Sequence, residues 1–178
     1  LRLFIAIEFP GPVRKALQHS ADRVRAACVR GSFPRAENLH LTLSFLGETD
    51  PALVPEAVAA MNAVNCPPFT LSVGALGRFR SRPGDTLYRS VEGGDSLRRL
   101  QRDLSAELTA RGFQTEDRVY TPHLTIARRA VLADGSDLRA LSDGLPELTA
   151  TAREITLLRS DQIRGQRVYT PLFRKVLE

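Results

Sequence analysis

Two tetrapeptides in this sequence echo one another, His40-Leu41-Thr42-Leu43 and His123-Leu124-Thr125-Ile126. Each alternates polar and apolar residues with the period of a β-strand, so His and Thr share one face while the aliphatics turn to the core. An imidazole takes or gives a proton near neutral pH, and a hydroxyl donates to an anionic oxygen. Two imidazoles and two hydroxyls around one small volume therefore suit a phosphodiester. One ring deprotonates an attacking water, the other protonates the departing oxygen, and the hydroxyls stabilise charge on the non-bridging oxygens. A single strand histidine is more often a satisfied core or sheet-surface residue. Repetition changes that weighting, because the only other histidine, His19, lies on an expected helix without such neighbours and reads as a surface residue. A zinc site needs three or four protein ligands, and no third His, Cys or carboxylate stands at ligand spacing. The reading is metal-free.

The elements that must position these residues follow from periodicity and punctuation. Leu3–Ile7 reads as a buried strand, broken by Pro10-Gly11-Pro12 before a helix with Val13, Leu17, Val24 and Ala27 as its apolar stripe, ended by Gly31. Leu39–Leu46 reads as a strand closed by Gly47, and a second helix runs from about Pro51 to Asn62. Phe69–Val73 and Thr86–Val91 read as strands separated by a mobile loop, Gly77–Asp85, whose Arg78, Arg80 and Arg82 read more readily as a solvated turn than as a guide for an anionic substrate. Gly93-Gly94-Asp95 opens a helix with the stripe Leu97, Leu100, Leu104 and Leu108, ended by Gly112. Strands Thr121–Arg128, Thr149–Leu158 and Arg167–Leu177 follow, with a short helix at Asp137–Leu141.

This order is α+β, and clustered strands favour antiparallel sheets over a parallel one. Helix, glycine, polar loop and His-bearing strand occur once in each half, so residues 1–178 form a single domain of two lobes whose sequence repeats are about 1–91 and 92–178. Repeats that each supply one strand commonly pack about a pseudo-two-fold axis, which would bring the histidines face to face.

Composition narrows the class. A chain of 178 residues can bury a substantial core without staples. Cys28 and Cys66 lack C-x-x-C spacing and read as reduced thiols in a cytoplasm. No apolar run is long enough to span a bilayer, and Leu1–Ile7 has neither the length nor the cleavage site of a signal peptide, so no membrane association is expected. A net charge of +5 fits an anionic partner. Lys15 and Lys175 are the only lysines; scattered arginines carry the rest, which suits codon bias better than selection for bidentate phosphate contacts.

At these residues the chain resembles the two-histidine (2H) phosphoesterases, specifically the bacterial 2′-5′ RNA ligase-like RNA 2′,3′-cyclic phosphodiesterases. The similarity spans nearly the whole chain and rests on Arg2–Ile7, Glu37–Glu48 and Thr121–Arg128. It implies a bilobal fold with antiparallel sheets flanking a central cleft and helices outside. It also implies no cofactor, and hydrolysis of a terminal 2′,3′-cyclic phosphate to a 2′-phosphate, with reversible 2′-5′ ligation in some members. Substrates would be RNA ends or cyclic nucleotides, tRNA halves among them, handled by a monomer with no obligate protein partner.

By position, His40 and His123 match the catalytic pair and Thr42 and Thr125 the phosphate-binding hydroxyls, with His40 as acid and His123 as base. Phe45 matches a base-stacking aromatic and Arg128 a phosphate-binding arginine. Strand parity sets both off the histidine face unless a bulge intervenes, so core packing remains an equal reading of Phe45. Arg118 and Tyr120 either line the cleft or pack at a strand edge. Phe33 stands where a Trp is common, and Leu158-Arg159-Ser160 lacks the usual aromatic before the serine. Two other functions compete: a phosphoesterase for 2′-5′ oligonucleotides or small cyclic phosphates, and a non-catalytic RNA-end binding module.

Overall fold

A computed structural model describes residues 1–178. The chain runs β1 (Arg2–Glu8), α1 (Gly11–Ala26), β2 (Cys28–Ser32), β3 (His40–Glu48), α2 (Val54–Ala63), β4 (Phe69–Phe79), β5 (Asp85–Glu92), α3 (Gly94–Ala110), β6 (His123–Leu132), α4 (Leu138–Asp143), β7 (Leu148–Ala152), β8 (Glu154–Ile163) and β9 (Gln166–Val176). Single 3-10 turns precede β3 and α2. The strands form two antiparallel sheets, one ordered β3-β1-β8-β9 and the other β2-β6-β5-β4-β7. His40 begins β3 at an edge of the first sheet, and His123 begins β6 inside the second.

A single cluster of 26 buried residues joins the sheets, taking Leu3, Ile5 and Ile7 from β1, Leu41 and Leu43 from β3, Leu71 and Val73 from β4, and Leu124 from β6. α3 seals it with the stripe Leu97, Leu100, Leu104 and Leu108, none more than 1% exposed. At roughly 1.5–3 kcal/mol per fully buried leucine, that stripe is the main tertiary anchor of the helix. α1 packs Ala21 and Val24 over a smaller cluster holding Leu87, Ile126, Ala127 and Ala130 beneath the His123 strand.

Three sequence expectations are corrected. Gly31 does not end the first helix; α1 stops at Ala26, and Cys28–Ser32 turns back as an edge strand on β6. Gly31 is needed there for close approach, since a Cβ would lie 3.1 Å from the Phe33 ring and 3.3 Å from the Ala130 backbone. The expected Gly77–Asp85 loop is shortened to residues 80–84: β4 continues to Phe79, β5 starts at Asp85, and the Asp85 carboxylate accepts from the Ser81 N–H and Arg78 to fix the tip. The expected strand Thr149–Leu158 is two strands broken at Arg153, with β7 in one sheet and β8 in the other. Sequence alone could not reveal that break, because neither Gly nor Pro marks it and the change of sheet is decided by distant partners.

Candidate active site

The two His-x-Thr strands fold alike to a degree that parity did not anticipate. Along β3 and β6 the first six residues share one burial sequence: half-buried, buried, half-buried, buried, buried, exposed. Both strands carry an extra residue three positions after the histidine. β1 pairs Ile5 with Ser44 and then Ala6 with Thr42, skipping Leu43; β5 pairs Leu87 with Ala127 and then Tyr88 with Thr125, skipping Ile126. A one-residue bulge reverses the faces beyond it. Phe45 and Arg128, each five residues past a histidine, are thereby returned to the histidine face. Phe45 is 40% exposed and stacks at 5.7 Å on Phe4, whose ring lies 4.8 Å from His40. Core packing is excluded for Phe45, and Arg128 is exposed and close enough to act electrostatically on the His40 ring.

Each imidazole is fixed by the same local device. His40 Nδ1 lies 2.7 Å from the Asn38 carbonyl, and His123 Nδ1 lies 2.7 Å from the Thr121 carbonyl. A carbonyl only accepts, so Nδ1 carries the proton in both rings and Nε2 is the reactive nitrogen of each neutral ring. The Thr42 hydroxyl is 3.0 Å from His40 Nε2, and with that nitrogen unprotonated it donates to it. The two motif strands β3 and β6 lie in contact, and Arg128 and His123 both act on the charge state of His40. Burial, followed by these two neighbours, outweighs the Asn38 carbonyl and Glu8 and lowers the His40 pKa to about 4.

Aromatic rings flank both histidines. Tyr169 of β9 meets His40 edge-on at 5.2 Å and contacts Phe4 at 4.9 Å. On the other sheet, Phe79 and Tyr88 meet His123 at 5.1 and 5.4 Å. None of these four was a candidate from sequence. The signal for Phe4 and Tyr88 was period-two placement on strands that turned out to neighbour the motif strands, whereas Tyr169 and Phe79 needed the hairpin registers. Tyr169 pairs with Ser160 and so supplies from β9 an aromatic next to the serine that lacks one before it.

The remaining candidates are less central. Tyr120 is half-buried, and its hydroxyl donates to the Thr42 carbonyl at 2.8 Å, tying the segment before His123 to the His40 strand. Burial raises its pKa well above the ordinary phenol value, so it stays a donor. Arg118 is exposed and engaged with Glu116 at 2.9 Å, two residues away on its own loop. Phe33 packs under Arg25, whose guanidinium lies 4.9 Å over the ring, in a separate groove of about 340 Å³ that also holds Gln18, Asp22, Arg35 and Glu37. His19 is exposed on α1.

Two antiparallel sheets presenting paired His-x-Thr strands define a two-histidine phosphoesterase. The chain belongs to the 2′-5′ RNA ligase superfamily, whose sequence profile matches residues 12–164. It is similar to an Escherichia coli protein named RNA 2′,3′-cyclic phosphodiesterase, 30% identical across 99% of this chain and 96% of that one. A Methanothermobacter thermautotrophicus protein of the same name is 28% identical across 97% and 96%. A Geobacillus stearothermophilus relative, again of that name, is longer, and the match spans 41% of it. Among solved structures, E. coli LigT complexed with 3′-AMP superposes with a TM-score of 0.80 at 29% identity, covering 99% of this chain and 97% of that one. The MHV ns2 PDE domain, at 13% identity and a TM-score of 0.60, shares the fold. No helix is long and apolar enough to cross a membrane.

Proposed function

We propose that this protein is an RNA 2′,3′-cyclic phosphodiesterase that opens a terminal cyclic phosphate to a 2′-phosphomonoester. The observation that carries the reading is the matched pair of imidazoles, each with Nδ1 on the carbonyl two residues back, which leaves Nε2 as the nitrogen that exchanges protons. Relatives bearing that activity as their name, similar over nearly the full chain, support it.

His123 Nε2 takes a proton from water as its oxygen attacks phosphorus; His40 Nε2–H protonates O3′ as the P–O3′ bond breaks, leaving phosphate on O2′. Thr42, Thr125 and Arg128 stabilise the charge on the non-bridging oxygens. His40 is neutral at pH 7 in the free protein, since its pKa is about 4. An incoming phosphodiester anion pairs with Arg128, removes that repulsion and favours proton uptake by His40. The protonated Nε2 then no longer accepts from Thr42, whose hydroxyl becomes free to turn to the phosphate. Phe45 stacks on the terminal base. Ligation in the 2′-5′ sense is the same exchange with a 5′-hydroxyl in place of water. Both cysteines are free thiols, which supports a working place in a reducing cytoplasm, and RNA ends, tRNA halves among them, are the proposed substrates of the monomer.

The test is to incubate the protein with adenosine 2′,3′-cyclic phosphate in EDTA and identify the product. Adenosine 2′-phosphate is expected; no turnover, or turnover abolished by EDTA, overturns the reading. Calorimetric binding of adenosine 2′-phosphate near pH 6 in buffers of different ionisation enthalpy should report net proton uptake. Binding without uptake assigns the base role to His40.

A further inference from the structure

The cleft face of the second sheet carries an aromatic platform for which a water molecule as nucleophile has no use. Phe79 and Tyr88 stack with ring centroids 4.4 Å apart and 27° between planes, and Phe79 meets the His123 ring edge-on at 82°. Tyr88 pairs with Thr125 across β5 and β6 and with Gly77 across β4 and β5, so its ring rises from the face that bears His123. Gly77 makes room for it: a Cβ there would lie 2.5 Å from Tyr88 Cζ. Tyr88 thus lies flat over β4 and covers one face of Phe79, while Phe79 remains 39% exposed. The Asp85 carboxylate bonds to Arg78 and to the Ser81 N–H and fixes the adjoining tip, on which Arg80 and Arg82 are exposed. An open aromatic face on a braced hairpin, beside the histidine that activates the nucleophile and near spare positive charge, has the chemistry of a nucleobase stacking site.

We propose that Phe79, backed by Tyr88, is the base platform for a second nucleoside, the one whose 5′-oxygen occupies the position water takes in hydrolysis. This deepens the cyclic phosphodiesterase reading and rests on it. Phe45, backed by the buried Phe4, holds the nucleoside bearing the cyclic phosphate beside His40; Phe79, backed by Tyr88, holds the acceptor beside His123. In transfer, the 5′-hydroxyl gives its proton to His123, the P–O5′ bond forms, the P–O3′ bond breaks and O3′ takes the proton of His40. The product is a 2′-5′ phosphodiester, and no co-reactant is needed.

The experiment is calorimetric, with two inert probes: 3′-deoxyadenylyl-(2′→5′)-adenosine, which lacks the oxygen needed to cyclise, and 3′-deoxyadenosine 2′-phosphate, its single-nucleoside part. The parent should bind the dinucleoside about tenfold more tightly, the worth of one stacked base. Phe79→Ala and Phe79→Leu should each erase that preference, and Phe79→Trp should keep it. Phe45→Ala should weaken both probes alike and preserve the ratio. Equal affinities in the parent, or a preference that survives in Phe79→Leu, overturn the platform. Failure of the underlying function is read separately, as absence of adenosine 2′,3′-cyclic phosphate hydrolysis by the parent.

Discussion

The two halves of the site share a backbone plan and differ in what surrounds the imidazole. In both, a bulge follows the His-x-Thr pair, and a carbonyl two residues back fixes the ring. Around His40 the neighbours are Phe4, Tyr169 and the Thr42 hydroxyl, and the ring is held neutral by burial and by Arg128. The His123 half is braced differently. Behind it Arg89, 1% exposed, donates to the Gly74 and Pro146 carbonyls and to Ser20, joining β4, α1 and the turn before β7. Pseudo-symmetry therefore builds one geometry twice, and the side chains planted around it make the halves unequal. That inequality gives the two imidazoles different proton affinities, which suits one to give a proton while the other takes one.

The comparison breaks most decisively at the rings. His40→Ala and His123→Ala should each lower kcat for adenosine 2′,3′-cyclic phosphate on the order of 10²-fold or more, measured by product chromatography. Next in size is Arg89→Met, which takes the donor from the Gly74, Val73 and Pro146 carbonyls and from the Ser20 oxygen. It should destabilise the fold by about 3 kcal/mol in urea titration, while Arg159→Met on the first sheet, partly exposed and paired with Asp161, should change stability by less than about 1 kcal/mol. Replacing Thr42 or Thr125 by Val should cost about tenfold in kcat/KM, and only Thr42→Val should also move the His40 titration.

The smallest effect sharpens the electrostatic difference. Arg128 lowers the His40 pKa, so Arg128→Gln should raise it from about 4 and move upward the pH at which loss of the His40 proton makes kcat/KM fall, whereas Arg128→Lys should leave that limb near its parent position. The same depression has a stability consequence. Because the unfolded ring titrates near 6.5 and the folded one near 4, the unfolded chain binds the extra proton between those values. Stability should therefore be unaffected by His40 above pH 6.5 and fall as pH drops toward 4. The fall is at most about 3 kcal/mol, and His40→Asn should flatten it.

The motif was legible because period-two alternation in His-Leu-Thr-aliphatic writes the strand and its faces directly into the sequence. Phe45 and Arg128 were not placed by the same rule, since one skipped residue reverses parity and skipping is decided by the partner strand. The stripe of α3 announced itself as four leucines at helical spacing. Arg89 did not, because a cation at a buried strand phase contradicts the pattern unless the carbonyls that receive it are already in view. The aromatics around the histidines come from β1, β4, β5 and β9, whose adjacency to the motif strands is a matter of long-range pairing, the least local information a chain carries.

The proposed hydrolysis requires two imidazoles acting on one phosphorus. NMR of 15N-histidine-labelled protein titrated with an adenosine–vanadate complex, a mimic of the pentacovalent species, reads this directly. The Nε2 signals of His40 and His123 should move together and saturate at one ligand per chain, with His19 unmoved. Movement of one ring alone, or saturation of the two at different concentrations, would contradict it.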